Sequence, residues 1–376
     1  MAKLYMGFDA GTQSVKVAVY DGNFNPVASH SLPTTLHYPQ PGWVQMNIDE
    51  FLNITVECMK KTVEAIKGKG YSPSDIAAVM GDGIICGICG VDENGKAVTP
   101  YINYLDSRTQ ADVDAINAKN LDIWGRETGN PEANCMFPAM FARWFLANSE
   151  DFRKKGVKFV HNAPYILMNL AGLKGKDAFI DWGAMSGWGL GYKVEKKEWS
   201  DEQLDILGID KKYMPRILKP WDIVGGVSEE MAARTGLVAG TPVCAGAGDT
   251  MQSMLGSGVF EAGQGVDVAG TCAMFCVSTN NVMEPFFTWV LLKCGGFFVV
   301  RQIHHITMWA FILFTIAHIY LVFYHDYIER NGIASSIIGG WKFVREDLAE
   351  EYETEQKQQQ QLQKQKDGIA NETTEK

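Results

Sequence analysis

Over its first part the chain alternates short strand-like apolar runs with amphipathic helices and glycine-rich turns. "KLYMGFDAG" and "SVKVAVYDGNFNPVASHSL" read as hairpin strands, with Asp21, Gly22 and Asn23 in a turn. "DEFLNITVECMKKTVEAIKGKG" carries apolar residues at helical spacing and ends in glycine, which predicts a surface helix. "IAAVMGDGIICGICGVDENGKAV" returns to strands, with a second turn at Glu93, Asn94 and Gly95. "GTPVCAGAGDTMQSMLGSG" reads as strand, glycine turn and helix, so the class is α/β. The texture changes near residue 282. "EPFFTWVLLKCGGFFVV" is apolar but broken by Lys293, Gly295 and Gly296. "MWAFILFTIAHIYLVFY", Met308 to Tyr324, then gives a run long enough for a marginal membrane span, or for a core helix if other chain buries it. Past Trp341, "REDLAEEYETEQKQQQQLQKQK" has no core-forming pattern and reads as a solvated charged helix or a disordered tail.

Composition narrows this picture a little. A length of 376 residues predicts two domains or slightly more. The net charge of -10 argues against a nucleic-acid partner and suits a soluble metabolic enzyme. Eight cysteines in so long a chain suggest a reducing compartment rather than a disulfide framework. Cys86 and Cys89 form one C-x-x-C without a second ligand pair for zinc, so they read as buried strand cysteines. The first apolar segments are interrupted by Asp9 and Lys16 and do not make a signal peptide, so the first domain is expected to fold in the cytoplasm.

The chemistry sits in the glycine turns. In "FDAGTQSVKV" a strand leads to Asp9, then Gly11, Thr12, Gln13 and Ser14. Gly11 permits a tight turn that presents N–H groups to an anion, and Thr12 and Ser14 can add hydroxyl donors. Asp9 can hold magnesium through water. Alone, this pattern is equally that of a plain hairpin turn. "VDVAGTCAMF" repeats the strand, Gly-Thr turn and strand around Gly270 and Thr271, and "CAGAGDTMQS" places Asp249 behind a glycine run between the two. Two such turns can grip one polyphosphate, and an aspartate between them can accept a proton from an attacking hydroxyl.

The ordered series "GFDAGTQSVKV", "QPGWVQMNIDEF", "GVDENGKAVTPYINYLDSRT", "YILMNLAGL", "FIDWGAMSG", "EWSDEQLDILGID", "ARTGLVAGTPVCAGAGD" and "DVAGTCA" resembles the FGGY carbohydrate kinases, particularly the xylulokinase-like branch, over residues 1 to about 280. The resemblance implies a ribonuclease H-like, actin/hexokinase-type fold of two lobes. It also implies ATP and Mg2+ in the cleft and phosphoryl transfer to a sugar or polyol hydroxyl. By position, Asp9 matches the metal-side aspartate and Gly11, Thr12 and Gln13 the first phosphate loop. Asp249 matches the catalytic base, and Gly270 and Thr271 the second phosphate loop. Asp106 and Arg108 of "LDSRT" match a position near the sugar cleft, with a surface ion pair as the plain alternative. There are departures. Gly81-Asp82-Gly83 stands where xylulokinases usually carry Gln-Met-His, which makes Asp82 a candidate ligand for a polyol hydroxyl and leaves the sugar open. Thr250 follows the base where Asn is common, and Phe141 stands where a lysine is expected and reads as packing. After Asn281 nothing resembles the rest of the second lobe, so weak ATP binding and impaired activity are expected.

The tail carries a different signal. His304 and His318 are 14 apart, which on an α-helix puts them on one face with a rise of roughly 21 Å, a spacing that suits two stacked haems. "VVRQIHHITMWAFILFTIAHIYLVFYHDYIERNGIASSIIGGWKFV" resembles the last helix of the b-type cytochrome subunit of nickel-iron hydrogenases. Only that helix is represented, so haem b would require partner helices, and hydrogenase subunits are partners only under this alternative. Lys342 and Arg345 place its C-terminal end on the cytoplasmic side. The expected organisation is a kinase N-terminal domain over 1–245, the start of a truncated second domain over 246–281, a membrane segment over 282–345 and a charged tail over 346–376. The chain thus reads as two incomplete proteins joined near residues 279–285, with a membrane-tethered sugar-binding module as a further possibility.

Overall fold

The computed structural model describes residues 3–269, 273–280 and 297–329. The chain divides into two compact units, Met1–Phe286 and Phe287–Lys376, so residues 246–281 fall within the first.

The first unit is built on a seven-stranded mixed sheet. Strands β1 (Leu4–Ala10), β2 (Ser14–Asp21) and β3 (Pro26–Pro33) form an antiparallel meander, as the alternation predicts. Leu4, Met6, Phe8 and Ala10 of β1 and Val15, Val17 and Val19 of β2 point into the core, leaving Asp9 and Lys16 on the opposite face. The Asp21 carboxylate accepts the N–H groups of Asn23 and Asn25, which shapes the turn into β3. Helix α1 (Ile48–Gly68) covers the apolar face. Asn47 caps it by accepting from the N–H groups of Asp49 and Glu50, and Phe51, Leu52, Val56, Met59, Val63 and Ile66 form its buried stripe. Strand β4 (Ile76–Gly83) then pairs in parallel with β1.

Helices α2 (Asn162–Leu170) and α3 (Trp182–Gly187) follow. Strands β5 (Ile223–Gly226) and β6 (Pro242–Cys244) extend the sheet to the order β5-β6-β4-β1-β2-β3. The short β7 (Ala247–Gly248) pairs with the end of β4 and leads directly into helix α4 (Asp249–Gly256). A smaller four-stranded sheet carries a second core around Trp124, Phe141, Phe145, Phe152, Phe159 and Trp188. Phe141 is fully buried there, in keeping with a packing role, and Cys86 and Cys89 are buried too. Gly265–Ala269 and Ala273–Val277 form a separate antiparallel pair with no further partner strand among the described residues.

Of the second unit, helix α5 (Phe297–Glu329) is described, one continuous helix of 33 residues. It is the one helix among the described residues long and apolar enough to cross a membrane, over His305–Tyr324 with a mean hydropathy of 2.0. Trp309, Phe311, Leu313, Phe314 and Ile316 are exposed. The hydroxyls of Thr307 and Thr315 donate to the carbonyls of Ile303 and Phe311, which satisfies them within the helix as an apolar environment demands. Of the expected membrane segment over 282–345, residues 282–296 and 330–345, Lys342 and Arg345 included, lie outside the described residues, as does the tail over 346–376.

Candidate active site

The site begins where β1 ends. Asp9 sits in register with Lys16 of β2 on one side and Asp82 of β4 on the other. The Lys16 ammonium lies 3.4 Å from Asp9 Oδ2. The turn that follows is tight: Gly11 N–H donates to the Ser14 carbonyl at 3.1 Å, and a Cβ on Gly11 would stand 3.2 Å from that oxygen and 3.4 Å from Asp9 Oδ1. Thr34 pins the far side of the loop, its hydroxyl donating to the Thr12 carbonyl at 2.6 Å and its N–H to the Gln13 carbonyl at 3.1 Å. Asn162, fully buried at the start of α2, donates from Nδ2 to the Ala10 carbonyl at 2.7 Å.

Asp249 reaches the same place from the other side of β4. Gly246 has φ +80°, and a Cβ there would stand 2.1 Å from the Gly81 carbonyl oxygen, so only glycine allows β7 to lie so close to β4. Ala247 then pairs with Asp82 and Gly248 with Gly83, which makes Asp249 the first residue of α4. Its Oδ1 accepts from the Thr250 N–H at 2.7 Å and the Thr250 hydroxyl at 3.2 Å. A cavity of about 650 Å³ opens beside these strand ends, lined by Asp9, Lys16, Asp82 and Gln252 among others.

Asp9, Asp82 and Asp249 are therefore close enough to repel one another. Burial pushes the Asp82 carboxyl up to about 8, the charges of Asp9 and Asp249 and a hydrogen bond to Asp9 add to the rise, and Lys16 opposes it. Its Oδ1 is buried without a partner. Asp249 is also raised, first by burial and further by the charge of Asp9, against the hydrogen bonds from Thr250. The sign of the pH effect follows. A carboxyl raised in the folded state holds its proton more tightly there than in the unfolded chain. The stability this gives is complete below pH 3.8 and is lost as pH rises toward about 8. Stability should fall across that window by up to about 1.4 kcal/mol per pH unit. Asp82→Asn is expected to flatten the Tm profile between pH 5 and 8, and an unchanged slope in the variant would contradict the assignment.

Among the described residues no three His, Cys, Asp or Glu side chains form a metal cage. Magnesium takes one or two carboxylates together with water and substrate phosphates, so oxygen donors at Asp9 and its neighbours suit it without a cage.

For Asp106 and Arg108, expected near the sugar cleft, the structure rules out the surface alternative. They are not a surface ion pair, since their side chains are 0% and 1% exposed with Nη2 to Oδ2 at 2.7 Å. Asp106 also accepts from Arg108 Nε at 2.9 Å, the Arg108 N–H at 2.8 Å and the Val44 N–H at 2.6 Å. The Arg108 guanidinium lies over Trp43 at 3.8 Å and Trp144 at 4.8 Å. Asp106 and Arg108 are bonded chiefly to one another, with Val44 and Gln45 as further partners, and they do not line the cavity beside Asp9 and Asp82. Gly270 and Thr271 lie outside the described residues, as does the side chain of His304. His318 is on α5 and stacks on Phe314 at 5.5 Å. Lys16 and Asn162 were not picked out from the sequence. Lys16 is legible in the hairpin register opposite Asp9, whereas Asn162 bonds a residue 152 positions away and carries no local signal.

Comparison with known proteins bears on both parts of the chain. Residues 4–256 match the model of the FGGY family of carbohydrate kinases, N-terminal domain. Residues 236–340 match that of prokaryotic cytochrome b561. The glycerol kinase of Thermococcus kodakarensis is 26% identical over 290 residues, 75% of this chain and 55% of that protein. Glycerol kinase 2 of Thermotoga maritima is 26% identical, covering 74% and 55%. The chain spans about half the length of the curated relatives it matches. Among solved structures, gluconate kinase from Lactobacillus acidophilus superposes with a TM-score of 0.66 at 22% identity, over 73% of this chain and 54% of that one. Xylulose kinase from the same organism gives 0.65 at 22% identity with the same coverage. The first unit thus has the ribonuclease H-like, actin/hexokinase-type fold.

Proposed function

The chain belongs to the FGGY family of carbohydrate kinases, and from that membership we propose that its first unit is built to transfer the γ-phosphoryl group of ATP to a hydroxyl of a sugar or polyol. The convergence of Asp9, Asp82 and Asp249 beside a glycine-tight loop carries this reading. Asp249 takes the proton from the attacking hydroxyl, Asp82 holds a neighbouring hydroxyl, and Gly11, Thr12, Gln13 and Ser14 grip the phosphates with Gly270 and Thr271. Asp9 would hold magnesium through water, and the ion would neutralise phosphate charge. The Thr250 N–H and hydroxyl hold one oxygen of the Asp249 carboxylate in place. Asp106 and Arg108 serve as support, not as sugar contacts. Relatives named for glycerol, xylulose and gluconate leave the substrate at the level of a polyol, sugar or sugar acid.

Activity should be weak. The N-terminal-domain match ends at residue 256, the glycerol kinase of Thermococcus kodakarensis aligns over 290 residues, and residues 236–340 match prokaryotic cytochrome b561. With full-length protein in detergent, glycerol, D-xylulose and D-gluconate should be compared by thermal shift and by ADP release. At least one should raise Tm, with turnover below about 1 s⁻¹, the low end for kinases. Faster turnover would refute the impairment, and the absence of any shift would refute the substrate site.

A second reading concerns the tail. The cytochrome b561 match and the exposed apolar α5 favour a membrane-inserted electron-transfer fragment, the chain being a chimera. His304 and His318 would bind haem b only with imidazoles from partner helices.

A further inference from the structure

We infer that Trp182, Trp221, Lys197 and Lys219 form a second binding site, for an anionic monosaccharide: a sugar phosphate or sugar acid. Three separate loops build it. Trp182 opens α3, fixed there because Asp181 caps the helix by accepting from the Gly183 N–H at 2.6 Å and the Ala184 N–H at 3.0 Å. Trp221 projects from the turn before β5, where Asp222 N–H donates to the Lys219 carbonyl and the Asp222 carboxylate accepts the Lys219 N–H, both at 3.0 Å. Lys197 comes from the hairpin turn between Tyr192–Lys193 and Glu198–Trp199, with φ 55°. That is a left-handed conformation that a lysine rarely adopts, and it marks a shaped turn.

The two indoles meet at a corner, with centroids 5.6 Å apart and planes at 79°, and Trp221 remains 64% exposed. The Lys197 and Lys219 ammonium groups stand 4.9 Å and 5.9 Å from the Trp182 ring centre. Among the described residues neither has a carboxylate within 4.0 Å, whereas Lys193, Lys211 and Lys212 do. Two unneutralised cations beside an exposed aromatic corner call for a ligand with an apolar face and a negative group. Perpendicular rings cannot sandwich a flat base between parallel faces. A saccharide ring can lay its C–H face on one indole, turn its hydroxyls to water and extend its charge to the lysines. None of these residues belongs to the proposed phosphoryl-transfer machinery.

Calorimetric titration of the full-length protein in detergent tests this, with glucose 6-phosphate, glucose, inorganic phosphate and ADP as probes. Glucose 6-phosphate should bind at least about tenfold tighter than each of the others. Trp221→Ala, and separately Lys197→Gln with Lys219→Gln, should each weaken it by about tenfold, and Asp249→Asn should leave it unchanged. All the changed side chains at the corner sit on surface turns, and the lysine pair reports on the charge even if the tryptophan variant loses Tm. Equal binding of phosphate or ADP overturns the saccharide assignment. Full binding by both corner variants, or loss of binding in Asp249→Asn, overturns the location. The second loss would place the ligand in the carboxylate crevice and leave the proposed kinase reading standing.

Discussion

Asp249→Asn should lower any sugar-dependent ADP release by about 10²–10⁴-fold, the range a general base contributes, while leaving the protein at least as stable. The two effects have one cause. Asp249 is pushed up by burial and by the nearby Asp9 charge, so the fold bears a cost to keep a carboxylate in this crevice. Asparagine keeps an oxygen to accept from the Thr250 N–H now bonded at 2.7 Å, and it carries no charge. Because the folded-state Asp249 carboxyl is raised, its contribution to wild-type stability declines as pH climbs above 3.8, and the variant lacks that share of the decline. Its Tm advantage should therefore widen as pH rises above 3.8. Turnover that survives the substitution would remove Asp249 from the chemistry. A lower Tm at every pH would show that the carboxylate is a structural partner and that the crowding described above does not govern it. The stability readout decides the geometry even where turnover is too slow to follow.

Much of the crevice was legible because local rules generate it. Apolar alternation in "KLYMGFDAG" fixes which face Asp9 occupies, and the glycine before a short helix fixes where Asp249 emerges. The register that sets Asp82 between Asp9 and Ala247 follows from parallel pairing of β4 with both β1 and β7, which no local window contains. Asp82 drew attention only as an unexpected residue at a patterned position. The burial of Asp106 and Arg108 was hidden for the same reason. Their burial depends on Trp43 and Trp144, far apart in the chain and brought over one guanidinium by the fold. A charged pair in a sequence keeps a surface ion pair as its plain alternative, because isolated charges are rarely buried. Asn162 is a further case, since what it holds is decided by the approach of α2 to the end of β1. The change of character near residue 282, by contrast, needed only composition, and the described α5 agrees with it.

The Asp106 and Arg108 pair offers the largest expected loss of stability. Arg108→Met keeps an unbranched apolar stem near the two tryptophans but removes the bonds to Asp106 at 2.9 and 2.7 Å and the one to Gln45 at 3.3 Å. Asp106, 0% exposed, would keep only the Val44 and Arg108 N–H groups as donors. Removing one partner of a buried pair costs about 3–5 kcal/mol, because the charge left behind has lost both water and its counter-ion. Against a total stability of roughly 5–15 kcal/mol this is a large share, and Tm should fall on the order of 10 °C. Arg108→Lys should recover little, since an ammonium cannot reproduce the fork on the carboxylate or the stack on Trp43. Asp106→Asn combined with Arg108→Met should recover part of the loss by removing the stranded charge. The polyol-induced thermal shift decides the role of the pair. If Arg108→Met lowers Tm and keeps the shift, the pair is a clasp holding Val44 and the "LDSRT" loop. Unchanged Tm with the shift abolished would return both residues to the sugar site and refute the clasp.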